Sequence, residues 1–171
     1  GRITRAALPA RAGRQAANEA FDRIPEWTLV SDALRIEQVK VTHAEILSAL
    51  HGHCFSEAWS PESMASLFAT PGMHGVIATD RASDQPVGFI LMRAIDGEAE
   101  ILTIGVLPEA RGTGIGTFLL GIMLEEGIST VFLDVAEDNK AALRLYQSSE
   151  FEVVGRRAAY YKREDGTPVD S

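Results

Sequence analysis

The sequence predicts an α+β domain: a mixed, mostly antiparallel sheet with one parallel crossover, flanked by helices on both faces. Three observations predict it. Between Gly75 and Val106, three runs rich in β-branched residues are separated by Asp80-Arg81-Ala82-Ser83-Asp84 and by Asp96-Gly97, the pattern of an antiparallel meander. Gly112 to Gly116 then leads into an apolar stripe of helical spacing, Phe118, Leu119, Ile122 and Met123. From there strand and helix patterns alternate, which requires a parallel crossover where the glycine-rich turn sits.

Along the chain, residues 1 to 30 show no sustained period and hold Pro9, Gly13 and Pro25, so they read as a poorly structured arm with at most a short helix over Arg14 to Phe21. Residues 31 to 171 read as one domain, in keeping with a chain of 171 residues. Leu34 to Val39 alternates like a half-buried strand. Thr42 with Glu45 three places on has capping-box spacing, and Ile46, Leu47 and Leu50 give the following helix its apolar face. A second short helix opens after Ser60 with Pro61 in its first position and Met64 and Leu67 facing inward. Beyond the meander, Gly127 stops the helix that the glycine turn starts. Thr130 to Val135 reads as a strand, Asn139 to Tyr146 as a helix with Ala142, Leu145 and Tyr146 apolar, and Phe151 to Val154 as a final strand.

Composition removes several function classes. Hydrophobic residues make up 46% and charged residues 23%, which excludes collagen-like, low-complexity and wholly disordered chains. Apolar stretches such as Phe89 to Met92 fall far short of the ~20 residues of a membrane-spanning helix. The net charge of -8 disfavours a nucleic-acid backbone and favours a cationic partner. It is also uneven. The first 23 residues hold five arginines against Glu19 and Asp22, leaving a body with 11 basic and 22 acidic residues. The single cysteine, Cys54, allows no internal disulfide, and the N-terminus has no apolar h-region, so a cytoplasmic protein is expected. His51, His53 and Cys54 lack metal-ligand spacing and a fourth partner, and no metal site is expected.

The segment from Ile101 to Gly116 places a strand, a tight turn and a helix start in succession, exposing backbone N–H groups at the positive end of a helix where a phosphate can sit. A dinucleotide fingerprint is a poor match: Gly112 and Gly114 fit, but position 117 is Thr and five residues delay the turn after its strand. The Gly-Lys-Ser/Thr phosphate loop is absent. Three glycines in five residues cost backbone entropy and mark a close approach of main chain to ligand, or else simply ease a strand into a helix.

Arg111-Gly-Thr-Gly114-Ile-Gly116 resembles the Arg/Gln-x-x-Gly-x-Gly/Ala signature of the GCN5-related N-acetyltransferases (GNAT), whose turn grips coenzyme A. Ile104-Gly-Val-Leu-Pro is similar to that family's fourth strand, Leu133-Asp134-Val135 to its fifth, and Asn139 to Tyr146 followed by Phe151 to its Asn-x-x-Ala-x-x-x-Tyr helix. With Cys54-Phe55 and Ala58-Trp59-Ser60, the chain most resembles the ribosomal-protein-alanine N-acetyltransferase (RimI-type) branch from about Leu34 onward. The resemblance implies acetyl-CoA as cofactor. It implies that Arg111, Gly112, Thr113, Gly114, Ile115, Gly116 and Thr117 hold the pyrophosphate, that Ile104, Gly105 and Val106 pair with the pantetheine arm, and that Asn139 touches the cofactor. An N-cap role for Asn139 is equally compatible with the sequence.

Acetyl transfer to an amine needs a base for the amine and stabilisation of the departing thiolate. Asp134 is the candidate base; it stands where the resembled branch carries a glutamate and is one methylene shorter, so it would act through a water. Its alternative is a solvated strand-end carboxylate. Tyr146 is the candidate acid, a phenol near pKa 10; its alternative is core filling. An α-amine near pKa 8 is free base about one time in ten at pH 7, a lysine only a few times in ten thousand, which favours a protein N-terminal α-amine, such as a ribosomal protein's, as the acceptor. A lysine, a polyamine, or a non-catalytic acyl-CoA-binding role is the alternative. Trp59, Tyr160 and Tyr161 are candidate walls of a peptide groove.

Two departures stand out. The resembled family has Gly before the aromatic of its sixth strand; this chain has Glu150-Phe151, so a different backbone conformation is expected there. Gly166 to Ser171 resembles a turn into a seventh strand that then does not come. In the family that strand lies between the fifth and sixth, so either the sequence is cut short or another segment, such as the N-terminal arm, fills the gap.

Overall fold

The computed structural model describes residues 2–9, 32–124 and 128–158. Its strands are β1 (Arg2–Pro9), β2 (Leu34–Gln38), β3 (Met73–Asp80), β4 (Gln85–Ile95), β5 (Glu98–Val106), β6 (Thr130–Ala136) and β7 (Glu152–Ala158). Its helices are α1 (Ala44–Cys54), α2 (Pro61–Leu67), α3 (Ile115–Met123) and α4 (Lys140–Ser148). The strands form one sheet in the order β2-β3-β4-β5-β6-β1-β7. Among the described residues only β5 and β6 pair in parallel; the other neighbours are antiparallel.

Local chemistry explains the meander. Asp80 closes the β3–β4 turn by accepting from the Ser83 N–H at 2.8 Å and its hydroxyl at 2.6 Å. Asp96 and Gly97 both take positive φ, 51° and 82°, as a two-residue hairpin turn requires. Side chains alternate across the sheet, and β4 shows the division. Ile90 and Met92 join one apolar cluster with Ile115, Phe118, Leu119, Leu120 and Met123 of α3; Phe89 and Leu91 join a second with Leu47 and Leu50 of α1 and Met64 of α2. Helices therefore cover both faces, as the sequence led us to expect.

Capping of α1 differs from the Thr42/Glu45 reading. Val41–His43 form a 3-10 turn in which His43 Nδ1 accepts from the Lys40 N–H at 2.9 Å, so the α-helix begins only at Ala44. Ser60 does cap α2, accepting from the Ser63 N–H at 3.2 Å with Pro61 next.

The arm over residues 1 to 30 also reads differently. Arg2–Pro9 are strand, inserted between β6 and β7 and antiparallel to both, with Ala6 opposite Leu133 and Leu8 opposite Val131. Ala6 and Leu8 are buried in the first cluster. Tertiary pairing overrides a segment whose own pattern is weak. The helix considered for Arg14 to Phe21 lies outside the described residues, as does Gly166 to Ser171.

The ladders shift register in β1–β7, in β3–β4 and in β4–β5, and the last of these shapes the site. In the β4–β5 ladder Leu91 faces Thr103 but Met92 faces Ile101, so Leu102 is an extra, bulged residue. Pairing of β5 with β6 ends at Ile101–Leu133, immediately before it. The two strands part there, and the bulge changes faces: Ile101, Ile104 and Val106 pack with the first cluster, while Gly105 turns toward Phe89 and Cys54.

Candidate active site

A cavity of about 540 Å³ lies along β5 beyond its last pair with β6. One wall is the free edge of β5, Ile104 to Val106; a second is the turn into α3, with Gly112, Gly114, Gly116 and Thr117; a third is α4. Cys54 and Phe55, at the end of α1, close the remaining side.

The turn is held from its flanks. Arg111 Nε donates to the Val106 carbonyl at 2.9 Å and its Nη2 reaches the Cys54 carbonyl at 3.5 Å, tying the loop to β5 and α1. The Thr113 hydroxyl donates to the Ala110 carbonyl at 2.7 Å. Gly112 and Gly114 both adopt left-handed φ, 77° and 87°, where a side chain would be strained, and the position of a Cβ on Gly112 has no atom within 4 Å. Phe118 is the residue whose N–H closes the first helical bond, to the Gly114 carbonyl at 2.9 Å. The N–H groups before it have no acceptor within the helix and present partial positive charge to the cavity end. This donor set suits a diphosphate, and the free β5 edge suits the amides of an extended chain.

Of the eleven residues nominated for the cofactor, ten line the cavity: Ile104, Gly105, Val106, Arg111, Gly112, Gly114, Ile115, Gly116, Thr117 and Asn139. Thr113 does not, its hydroxyl being engaged within the turn. Asn139 serves both readings, since its side chain caps α4 by accepting from the Ala142 N–H at 3.1 Å.

Asp134 lies on β6 one residue past the last β5–β6 pair, opposite Arg5 of β1. Val131, Leu133 and Val135 point into the first cluster, so by alternation Asp134 shares the other face with Phe132. It is half-buried. Tyr146 is buried within the first cluster, its ring 5.6 Å from that of Phe151, and burial pushes its phenol up to about 12. Neither lines the cavity itself.

Trp59 is half-buried and stacks on His51 with ring centroids 4.7 Å apart. The Trp59 backbone N–H donates to His51 Nδ1 at 3.3 Å, and burial holds the His51 pKa below its usual value, so that imidazole is a neutral packing partner. Burial pushes the Cys54 thiol up, against a smaller opposing pull from Arg111, which keeps it a thiol rather than a nucleophilic thiolate. Among the described residues no group of three His, Cys, Asp or Glu is placed to hold a metal ion. Tyr160 and Tyr161 lie outside the described residues.

Residues 44–151 match the family model described as the acetyltransferase (GNAT) family. The chain belongs to that family. This acetyltransferase is 39% identical over 111 residues to the N-alpha-acetyltransferase RimI of Mycobacterium tuberculosis, covering 62% of this chain and 69% of that one. It is 34% identical over 140 residues to a mycothiol acetyltransferase of Mycobacteroides abscessus, covering 76% of this chain but 44% of that one. In fold it resembles the crystal structure of the ribosomal-protein-S18-alanine N-acetyltransferase from Escherichia coli, with a TM-score of 0.69 and 24% identity over 79% of this chain and 88% of that one. The acetyltransferase uses acetyl-CoA as its donor. No helix among its described residues is long and apolar enough to cross a membrane.

The α4 wall was missed by sequence reading. Ala141, Arg144, Leu145 and Ser148 line the cavity at helical spacing, a pattern visible in the sequence only once α4 is known to face the turn.

Proposed function

We propose that this acetyltransferase acts in the cytoplasm on the N-terminal α-amine of a basic protein, such as a ribosomal protein. The observation that carries the reading is the cavity joining the glycine turn to the β5 edge beyond its last pair with β6, Asp134 standing one residue past that pair on β6. The net charge of -8 supports a basic acceptor. The name of the M. tuberculosis relative supports an α-amine.

Acetyl-CoA supplies the activated acetyl thioester. The N–H groups at the start of α3 would hold its diphosphate, and the edge of β5 would order its pantetheine arm. Asp134 would receive the amine proton through a water as the nitrogen attacks, the N–C bond forming as the thiolate leaves. Tyr146, with its phenol at about 12, is a weaker acid than the departing thiol, so it stabilises the sulfur by donating a hydrogen bond rather than by giving up its proton.

A second reading rests on the M. abscessus relative, whose match spans more of this chain: a small-molecule amine as acceptor. Acetyl-CoA offered with an N-terminal ribosomal-protein peptide, a lysine peptide with a blocked N-terminus, or a polyamine separates the readings by thiol release. The expected result is fastest release with the free N-terminus; faster release with the polyamine or the lysine peptide would overturn the α-amine assignment.

A further inference from the structure

We propose that Arg144 is a recognition residue for the 3′-phosphate of coenzyme A. Coenzyme A carries two separate anionic groups, the diphosphate and a ribose 3′-phosphate monoester of about two charges. The glycine turn provides main-chain donors for the first. A second anion in a protein of net charge -8 needs a cation of its own.

The cavity wall provides two guanidinium groups. Arg111 is spent on main chain, bonded to the Val106 and Cys54 carbonyls. Arg144, exposed on α4, lines the same cavity and has no ion pair or hydrogen bond of its side chain among the described residues. Nearby Lys140 is not an alternative: it does not line the cavity, and its ammonium donates to the Glu137 carbonyl at 3.1 Å. Ser148, one turn on, stands on the same wall with its hydroxyl committed to the Leu145 carbonyl. Among the described residues Arg144 is thus the uncommitted cation lining the cavity, and a planar guanidinium suits a phosphate monoester better than an ammonium does.

The inference rests on coenzyme A binding and not on the choice of acceptor amine, so its test needs no acceptor. Calorimetry of the full chain with coenzyme A and with 3′-dephospho-coenzyme A, for wild type, Arg144→Gln and Arg144→Lys, provides it. The expected result is an affinity about tenfold lower for Arg144→Gln with coenzyme A, little change with the dephospho form, and an intermediate value for Arg144→Lys. An equal loss with both ligands would assign Arg144 to the diphosphate and overturn the proposal, as would no loss with either. Wild type binding neither ligand would instead overturn the glycine-turn assignment on which the cavity reading depends.

Discussion

At the scale of single residues, Tyr146 and Asp134 carry opposite kinds of information. Tyr146→Phe removes only the hydroxyl from a ring already packed on Phe151, so turnover is expected to fall about 10- to 100-fold with little change in acetyl-CoA affinity. Because burial raises the phenol to about 12, it stays protonated across the working range, and the wild-type rate profile should show no falling limb from this group below about pH 11. Steady-state kinetics from pH 6 to 10 check both points; a wild-type limb in that range that vanishes in the variant would contradict the assignment. Asp134→Asn should lower kcat/KM at least tenfold with little change in coenzyme A affinity; an unchanged rate would place the base elsewhere. Glu150 tests a different point. The sequence led us to expect a new backbone conformation where the family has glycine, yet Glu150 takes φ 61°, the left-handed conformation a glycine adopts freely. Thermal or urea unfolding should therefore find Glu150→Gly more stable by about 1 kcal/mol. Asn139 was legible as the cap of α4 at the cavity because helix capping is a local rule. Arg144 and Phe55 were not, since only the packing of α4 and α1 against the turn brings them to the cavity.

At the scale of elements, the turn before α3 and the bulge in β5 build the site together. Gly114→Val would force a β-branched residue to φ 87° at the start of α3, and is expected to weaken coenzyme A binding at least tenfold while costing about 1–3 kcal/mol of stability. Calorimetry on folded protein separates the two effects; unchanged affinity would remove the turn from the cofactor site. The glycines announced this turn in the sequence because few other roles repay their entropy. The bulge gave no such notice. Leu102 lies between Ile101 and Thr103 with no glycine or proline beside it, and a slip of one residue leaves composition untouched while changing which side chains face which helix.

At the scale of the whole molecule, the mixed sheet, its crossover and the helices on both faces were readable, because hydrophobic period and turn chemistry agree through the central region. β1 was legible only as a candidate for the gap beside β6, not as a strand, for its partners lie more than a hundred residues away and its own sequence of small and basic residues has little strand character. Its contribution is measurable. Leu8 is 3% exposed in the first cluster, so Leu8→Ala should cost about 2–4 kcal/mol, read by denaturant unfolding; a loss below about 0.5 kcal/mol would mean that β1 is not docked in solution.

The placement of β1 also sets an order on how this chain comes to be folded. Ile3 must meet Ala136, and Arg2 must meet Ala158, so the first of these strands to leave the ribosome waits for the last of them before either edge is satisfied. Closing such distant contacts is slow, and until it happens β6 and β7 carry bare main-chain edges on which a neighbouring nascent chain can pair. Synthesis rate and chaperone supply, more than final stability, then govern how much active protein a cell recovers.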